Sequence, residues 1–180
     1  MGLPSLRFAA FRQPYITALE LSMNMRTLAF LSALLIVSNV VASDGYETYI
    51  NERYYYRISY PSDFLPQGVP DSGDGQVFLS PKNDAELRMF ASTCVEDSDA
   101  TPEQYIAGYK KAAKAKKLIL SYQRAGKNFA VVSGHKKDRI FYNKIIINED
   151  WCTQFTFEYS ESEMEKYNAV TNRISSSFKR

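Results

Sequence analysis

The sequence predicts an α+β fold, an antiparallel β-sheet flanked by helices. Three observations predict it. Four β-patterned runs between Leu118 and Tyr159 are joined by connections of two to five residues, and links that short place strands side by side and antiparallel. A helical pattern separates these runs from an earlier hairpin. An amphipathic pattern closes the chain, and helices disposed this way cover the faces of a sheet.

The elements follow in order. Tyr54 to Tyr60 (YYYRISY) is rich in β-formers and ends at Pro61, and Pro66, Pro70, Gly73 and Gly75 then mark a long loop. Gln76 to Ser80 and Ala85 to Thr93 read as strands of a hairpin, joined by the turn-type sequence Pro81-Lys82-Asn83-Asp84. Thr101-Pro102-Glu103-Gln104 supplies an N-cap, a proline at the first helical position and a capping-box glutamine. That helix is expected to run to about Lys116. Leu118 to Gln123, Asn128 to Ser133, Arg139 to Asn148 and Trp151 to Tyr159 are the four strands of a meander. Ser160-x-x-Glu163 is expected to cap a last helix, with Met164, Tyr167, Ala169, Val170, Ile174 and Phe178 as its apolar stripe.

Ahead of this domain, Met25-Arg26-Thr27, the apolar run Leu28 to Val37, and Val40-Val41-Ala42 have the order of a secretory signal peptide cut after Ala42. The ten-residue apolar run is half of the roughly 20 residues that a membrane-spanning helix needs. No cysteine follows it, so a lipid-modified cysteine is not available. The expected product is soluble and periplasmic or secreted. Residues 1–24 precede a complete export signal and read as an upstream extension, residues 25–42 as the signal peptide and 44–180 as one domain. Residues 44–180 hold nineteen basic and nineteen acidic residues, so the full chain's net charge of +2 comes from the segment ahead of the cut. With a net-neutral domain and no recognition motif, nucleic acid is not an expected partner.

Cys94 and Cys152 are the only two cysteines. An exported chain with an even pair is expected to form a disulfide. Each lies on the more polar face of its strand. Glu86, Arg88, Ser92 and Cys94 alternate with Leu87, Met89 and Ala91, while Cys152, Gln154, Thr156 and Glu158 alternate with Trp151, Phe155, Phe157 and Tyr159. A bridge across one side of a sheet needs that arrangement.

The combination Ile58-Ser59-Tyr60-Pro61-x-x-Phe64, Asp74-Gly75-Gln76-Val77-Phe78, Val131-Val132-Ser133-Gly134 and a final helix resembles small exported bacterial proteins with the PsbP-like α/β/α sandwich. That superfamily also includes the DcrB-like envelope proteins. The likeness spans most of residues 46–178 and rests on structural motifs. It implies a binding scaffold rather than an enzyme, and carries over no catalytic residue.

Four constellations have the residue types of a site. His135, in Gly134-His135-Lys136-Lys137-Asp138, is expected in a solvent-facing hairpin turn, where Ser133, His135 and Asp138 are too crowded to build a buried, oriented triad. Asp71-x-Gly73-Asp74-Gly75 has the look of a calcium loop, yet its closing position falls on Lys82, and turn chemistry accounts for it without a metal. Glu96-Asp97-Ser98-Asp99 precedes the first helix, where carboxylates favour the positive end of its dipole. Lys110, Lys111, Lys114 and Lys117 are the best candidates. At helical spacing three of them stack, with Lys111 flanking and Tyr105, Ile106, Tyr109, Ala112 and Ala113 turned toward the sheet. Such a row suits anionic lipid, lipopolysaccharide or an acidic protein.

The reading that follows is an exported binding or accessory protein of the bacterial envelope, without catalytic activity, cofactor or metal, whose partner is another envelope or secreted protein or an anionic surface. The alternatives are a secreted inhibitor, immunity or effector-type protein, or a hydrolase whose residues the sequence does not mark.

Overall fold

Two antiparallel sheets and two helices make up the computed structural model, which describes residues 45–94, 101–148 and 151–180. The segment expected to be an export signal, the stretch before it and the acidic run Glu96 to Asp99 lie outside the described residues. Strands β1 (Tyr46–Asn51) and β2 (Tyr56–Pro61) pair as a ribbon in which Tyr46 faces Pro61 and Asn51 faces Tyr56. The larger sheet has seven strands in the order β3-β4-β5-β9-β8-β7-β6, every neighbouring pair antiparallel. Its members are β3 (Leu65–Gln67), β4 (Gly75–Leu79), β5 (Ala85–Ser92), β6 (Ile119–Ala125), β7 (Phe129–Lys136), β8 (Arg139–Ile146) and β9 (Cys152–Ser160). Helix α1 (Pro102–Lys116) lies over β6 and β7 on one face, while α2 (Met164–Ser177) and the β1–β2 ribbon cover the other. This is the α+β sandwich expected from the patterning.

The ribbon departs from the expectation. Tyr54 and Tyr55 belong to the turn rather than to the strand, and β1 was not foreseen. Asn51 shapes that turn, because its Oδ1 accepts from the Tyr54 backbone N–H at 3.1 Å, and Tyr55 adopts a left-handed φ of 54°. Strand β3 was also unforeseen. Its centre is Pro66, which removes one ladder donor and is tolerated because β3 is an edge.

The main core sits between the sheet and α2. Ile58, Leu87, Phe155, Phe157 and Ile174 are fully buried, with Tyr56, Met89 and Tyr167 at 1 % exposure. Period two along β5 and β9 sends Leu87, Met89, Phe155 and Phe157 to this side. On the α1 side a smaller cluster joins Ala130, Ile145 and Cys152 to Cys94, Tyr105 and Ile106.

Helix α2 begins differently from the expected cap. Ser160 is extended and its side chain caps nothing; a 3-10 turn, Glu161–Glu163, intervenes before the α-helix. The Ser160 N–H donates to the Asp84 carbonyl at 2.9 Å and the Glu161 N–H to the Asp138 carbonyl at 2.8 Å. Tertiary carbonyls thus take up donors that a side-chain cap would otherwise serve. In the expected stripe Tyr167, Ile174 and Phe178 are buried, but Ala169 faces solvent and Met164 is 46 % exposed, while Thr171 takes a buried place by bonding the Tyr167 carbonyl at 2.7 Å.

Cys94 and Cys152 form the expected disulfide, their Cα atoms 4.8 Å apart. Ser92 pairs directly with Cys152, so Cys94 follows just past the end of β5 on the α1 side.

Candidate binding surface

Helix α1 is anchored so that its lysines point away from the sheet. Its capping box is complete: the Gln104 N–H donates to Thr101 Oγ1 at 3.2 Å, and the Thr101 N–H donates to Gln104 Oε1 at 2.8 Å. Ala113 is buried at 3 %, and its small side chain lets the helix approach the strands. Tyr109 packs its ring 6.0 Å from that of Phe141, and its hydroxyl accepts from Asn143 Nδ2 at 2.6 Å. Asn143 Oδ1 accepts in turn from the Thr156 hydroxyl. A polar ladder from β9 through β8 to α1 therefore fixes the roll of the helix. Burial, with the neighbouring Tyr109, pushes the Tyr105 hydroxyl up to about 12, so it stays neutral at any physiological pH.

That roll leaves Lys110, Lys111, Lys114, Lys116 and Lys117 exposed. Two details correct the expected stripe. Ala112 is exposed rather than turned to the sheet. Lys117 is the C-cap, in a left-handed φ of 54°, so the helical row of Lys110 and Lys114 does not continue through it. Its N–H reaches back toward the Ala113 and Lys114 carbonyls.

The cationic surface extends past the helix. Between Lys110 and Lys137 the chain carries nine Lys or Arg residues and no Asp or Glu. Those residues form the second half of α1, β6, β7 and their turns, which are neighbours in space. The rest of residues 44–180 holds ten basic residues against nineteen acidic ones. A domain with no net charge is thus charged unevenly along its sequence. Beyond the four lysines expected on the helix, the acid-free run from Gln104 to Lys137 marks this wider set in the sequence and adds Lys116, Arg124, Lys127, Lys136 and Lys137.

On the α2 side of the same region an open groove of about 500 Å³ runs between β6–β8 and α2, bordered by Tyr122, Tyr142, Met164 and Asn172 among others. Tyr142 and Ser175 share a 2.8 Å hydrogen bond, and Lys144 Nζ donates to the Ser175 carbonyl at 2.6 Å, holding α2 to the strands. Half-burial lowers the pKa of Lys144.

The other sequence candidates are placed as follows. His135 is in β7, not in the turn, because the strand continues to Lys136, and Lys137-Asp138 alone makes the hairpin loop. Its Nδ1 lies 3.5 Å from Glu161 Oε1 with a third of the side chain exposed. Ser133 is committed elsewhere, its hydroxyl donating to the Phe141 carbonyl at 2.8 Å. The Asp71–Gly75 loop is held by the ribbon: Asn51 Nδ2 donates to the Gly73 carbonyl, Arg53 to the Ser72 carbonyl and the Tyr56 hydroxyl to the Asp74 carbonyl. The Asp74 carboxylate accepts from the Ser72 hydroxyl at 2.6 Å. These three carbonyls and the Asp74 carboxylate are thus engaged in shaping the chain itself.

No family model matches the chain, and no curated protein matches it. Solved structures do. The fold is PsbP-like. The solution structure of cyanobacterial PsbP (CyanoP) from Synechocystis sp. PCC 6803 superposes with a TM-score of 0.58 at 17 % identity, covering 81 % of this chain and 98 % of that one. A crystal structure from Bacteroides thetaiotaomicron VPI-5482 gives a TM-score of 0.47 at 10 % identity, with 75 % of this chain and 48 % of that one covered.

Proposed function

We propose that the chain is an exported, non-catalytic binding or accessory protein of the bacterial envelope, and that it docks an acidic partner protein on the surface formed by α1 and β6. The carrying observation is the run of nine cations without a carboxylate between Lys110 and Lys137, gathered at one end of the sheet. Clustered charge of one sign raises the local concentration of oppositely charged partners and steers their approach. Export is supported by the order of residues 25–42 and by a disulfide, a bond that persists in oxidising compartments. No helix of the described residues is long and apolar enough to cross a membrane. An acidic protein fits better than an anionic lipid surface, because the large apolar residues of α1, Tyr105, Ile106 and Tyr109, are turned to the sheet and only alanines accompany the lysines on its exposed face.

The test is direct. Purified protein is titrated with poly-L-glutamate and with phosphatidylglycerol vesicles at low and at physiological salt. The reading expects polyglutamate binding that weakens steeply as the Debye length shrinks to about 8 Å. Replacing Lys110, Lys111, Lys114 and Lys117 with Gln should remove it while leaving stability within about 1 kcal/mol. Binding to vesicles alone would assign the surface to lipid, and binding to neither would overturn the reading.

A further inference from the structure

The two ends of the seven-stranded sheet are finished differently. β3 is three residues long and centred on Pro66, so little of a partner strand could pair with it. β6 is seven residues long, Ile-Leu-Ser-Tyr-Gln-Arg-Ala, with neither Pro nor Gly. Among the described residues it pairs with β7 alone, and six of its seven residues are exposed. A strand edge of this kind carries a row of backbone donors and acceptors open to another chain.

The backbone of β6 is held in place by its neighbour. A Cβ built on Gly134 would lie 2.0 Å from the Ile119 carbonyl oxygen, so only glycine admits β6 at this distance, beside the register shift between Leu120 and Tyr122. The register shift turns Leu120 and Tyr122 to opposite sides of the sheet, and regular alternation runs from Tyr122 to Ala125. Leu120 and Gln123 fall on the α1 side, while Tyr122 and Arg124 fall on the side of the groove. Tyr122 is 46 % exposed, and Arg124 lies over the Phe129 ring at 5.7 Å.

We propose that β6 is a docking edge for an extended, acidic segment of the partner protein, which adds as an eighth strand with alternate side chains against the groove and against the α1 side. The proposal rests on the acidic-partner reading above and names how that partner is held. The charge distribution selects the occupant. A second copy of this chain pairing β6 with β6 would bring the two copies' clustered cations together, which costs free energy. A carboxylate-rich strand meets complementary charge on both sides, and main-chain pairing supplies affinity while alternate side chains supply selectivity.

The probe is the peptide acetyl-Glu-Val-Glu-Val-Glu-Val-Glu-amide, compared with the same side chains on a backbone N-methylated throughout. Both carry the same charge, but the second cannot donate to a strand edge. Exchange rates of the β6 amides are followed by NMR in the intact protein, with poly-L-glutamate as the purely electrostatic reference. The expected result is slowed exchange at alternate residues of β6, at least tenfold weaker binding of the N-methylated peptide, and several-fold weaker binding to Arg124→Gln. Equal binding of the two peptides, or perturbation confined to α1, would overturn the edge while leaving the acidic-partner reading intact. Slowed β6 exchange without peptide, accompanied by dimerisation, would assign the edge to a second copy and overturn it. Failure of every acidic ligand, polyglutamate included, would overturn both.

Discussion

The Tyr167 hydroxyl donates a 2.6 Å hydrogen bond to Asp84 Oδ1, tying α2 to the turn between β4 and β5. Ser80 Oγ donates to the same oxygen at 2.6 Å, and Lys166 Nζ donates to the Tyr167 hydroxyl at 2.9 Å. Tyr167 is 1 % exposed, so this network closes one end of the main core.

Partial burial would raise the Asp84 pKa, but hydrogen bonds from Ser80 and Tyr167 and the charge of Lys166 outweigh it and hold the carboxyl below its ordinary value. Such a group stabilises the fold above its unfolded pKa of about 4, and the contribution is lost as pH falls through the lower folded value. Asp84→Asn is therefore expected to cost about 2 kcal/mol at pH 7. Urea unfolding at several pH values checks it: the gap between wild type and variant should close below about pH 4.

The disulfide closes a loop of 58 residues. The chain-entropy estimate for such a loop is about 4 kcal/mol. Reduction, or replacement of both cysteines by Ser, should lower the melting temperature by on the order of 10 °C. Non-reducing peptide mapping of native protein should show one linked pair and no alkylatable thiol.

Phe178, 2 % exposed, caps the C-terminus of α2 and sets its ring edge-on to Phe155 at 5.1 Å. Directly after it, Lys179 exchanges backbone hydrogen bonds with Arg57 at 2.9 and 3.1 Å, so the chain end is sewn to β2. Phe178→Ala should cost roughly 3 kcal/mol by denaturant unfolding. A loss under about 0.5 kcal/mol would contradict this packing.

Lys117 separates folding from binding. A left-handed residue other than glycine costs roughly 1 kcal/mol, and Lys117 holds that conformation at the end of α1. Lys117→Gly should raise stability by up to about that amount while weakening polyglutamate binding slightly. Denaturant midpoint and binding isotherm measured on one preparation check both directions.

What the sequence by itself determined were the features written in local chemistry. Thr101-Pro102-Glu103-Gln104 specifies a helix start through its own hydrogen bonds. Alternation along β5 and β9 chooses the buried face, and the same alternation puts both cysteines on the other face. The links within the meander are too short for any but antiparallel neighbours. Where tertiary partners compete with local signals, the tertiary structure decided. Ser160 looked like a cap, but carbonyls of Asp84 and Asp138 serve the donors there, and Asn51 bends into a turn the first two of three tyrosines that read as strand. The candidate surface was legible only in part, since four lysines share a helix in the sequence. That β6 ends the sheet beside them, with β3 blunted at the far end, follows from strand order. The short links encode the neighbours within the meander, but that β9 rather than β6 joins β5 is set by which faces the whole core can bury together, and no local pattern along the chain encodes it.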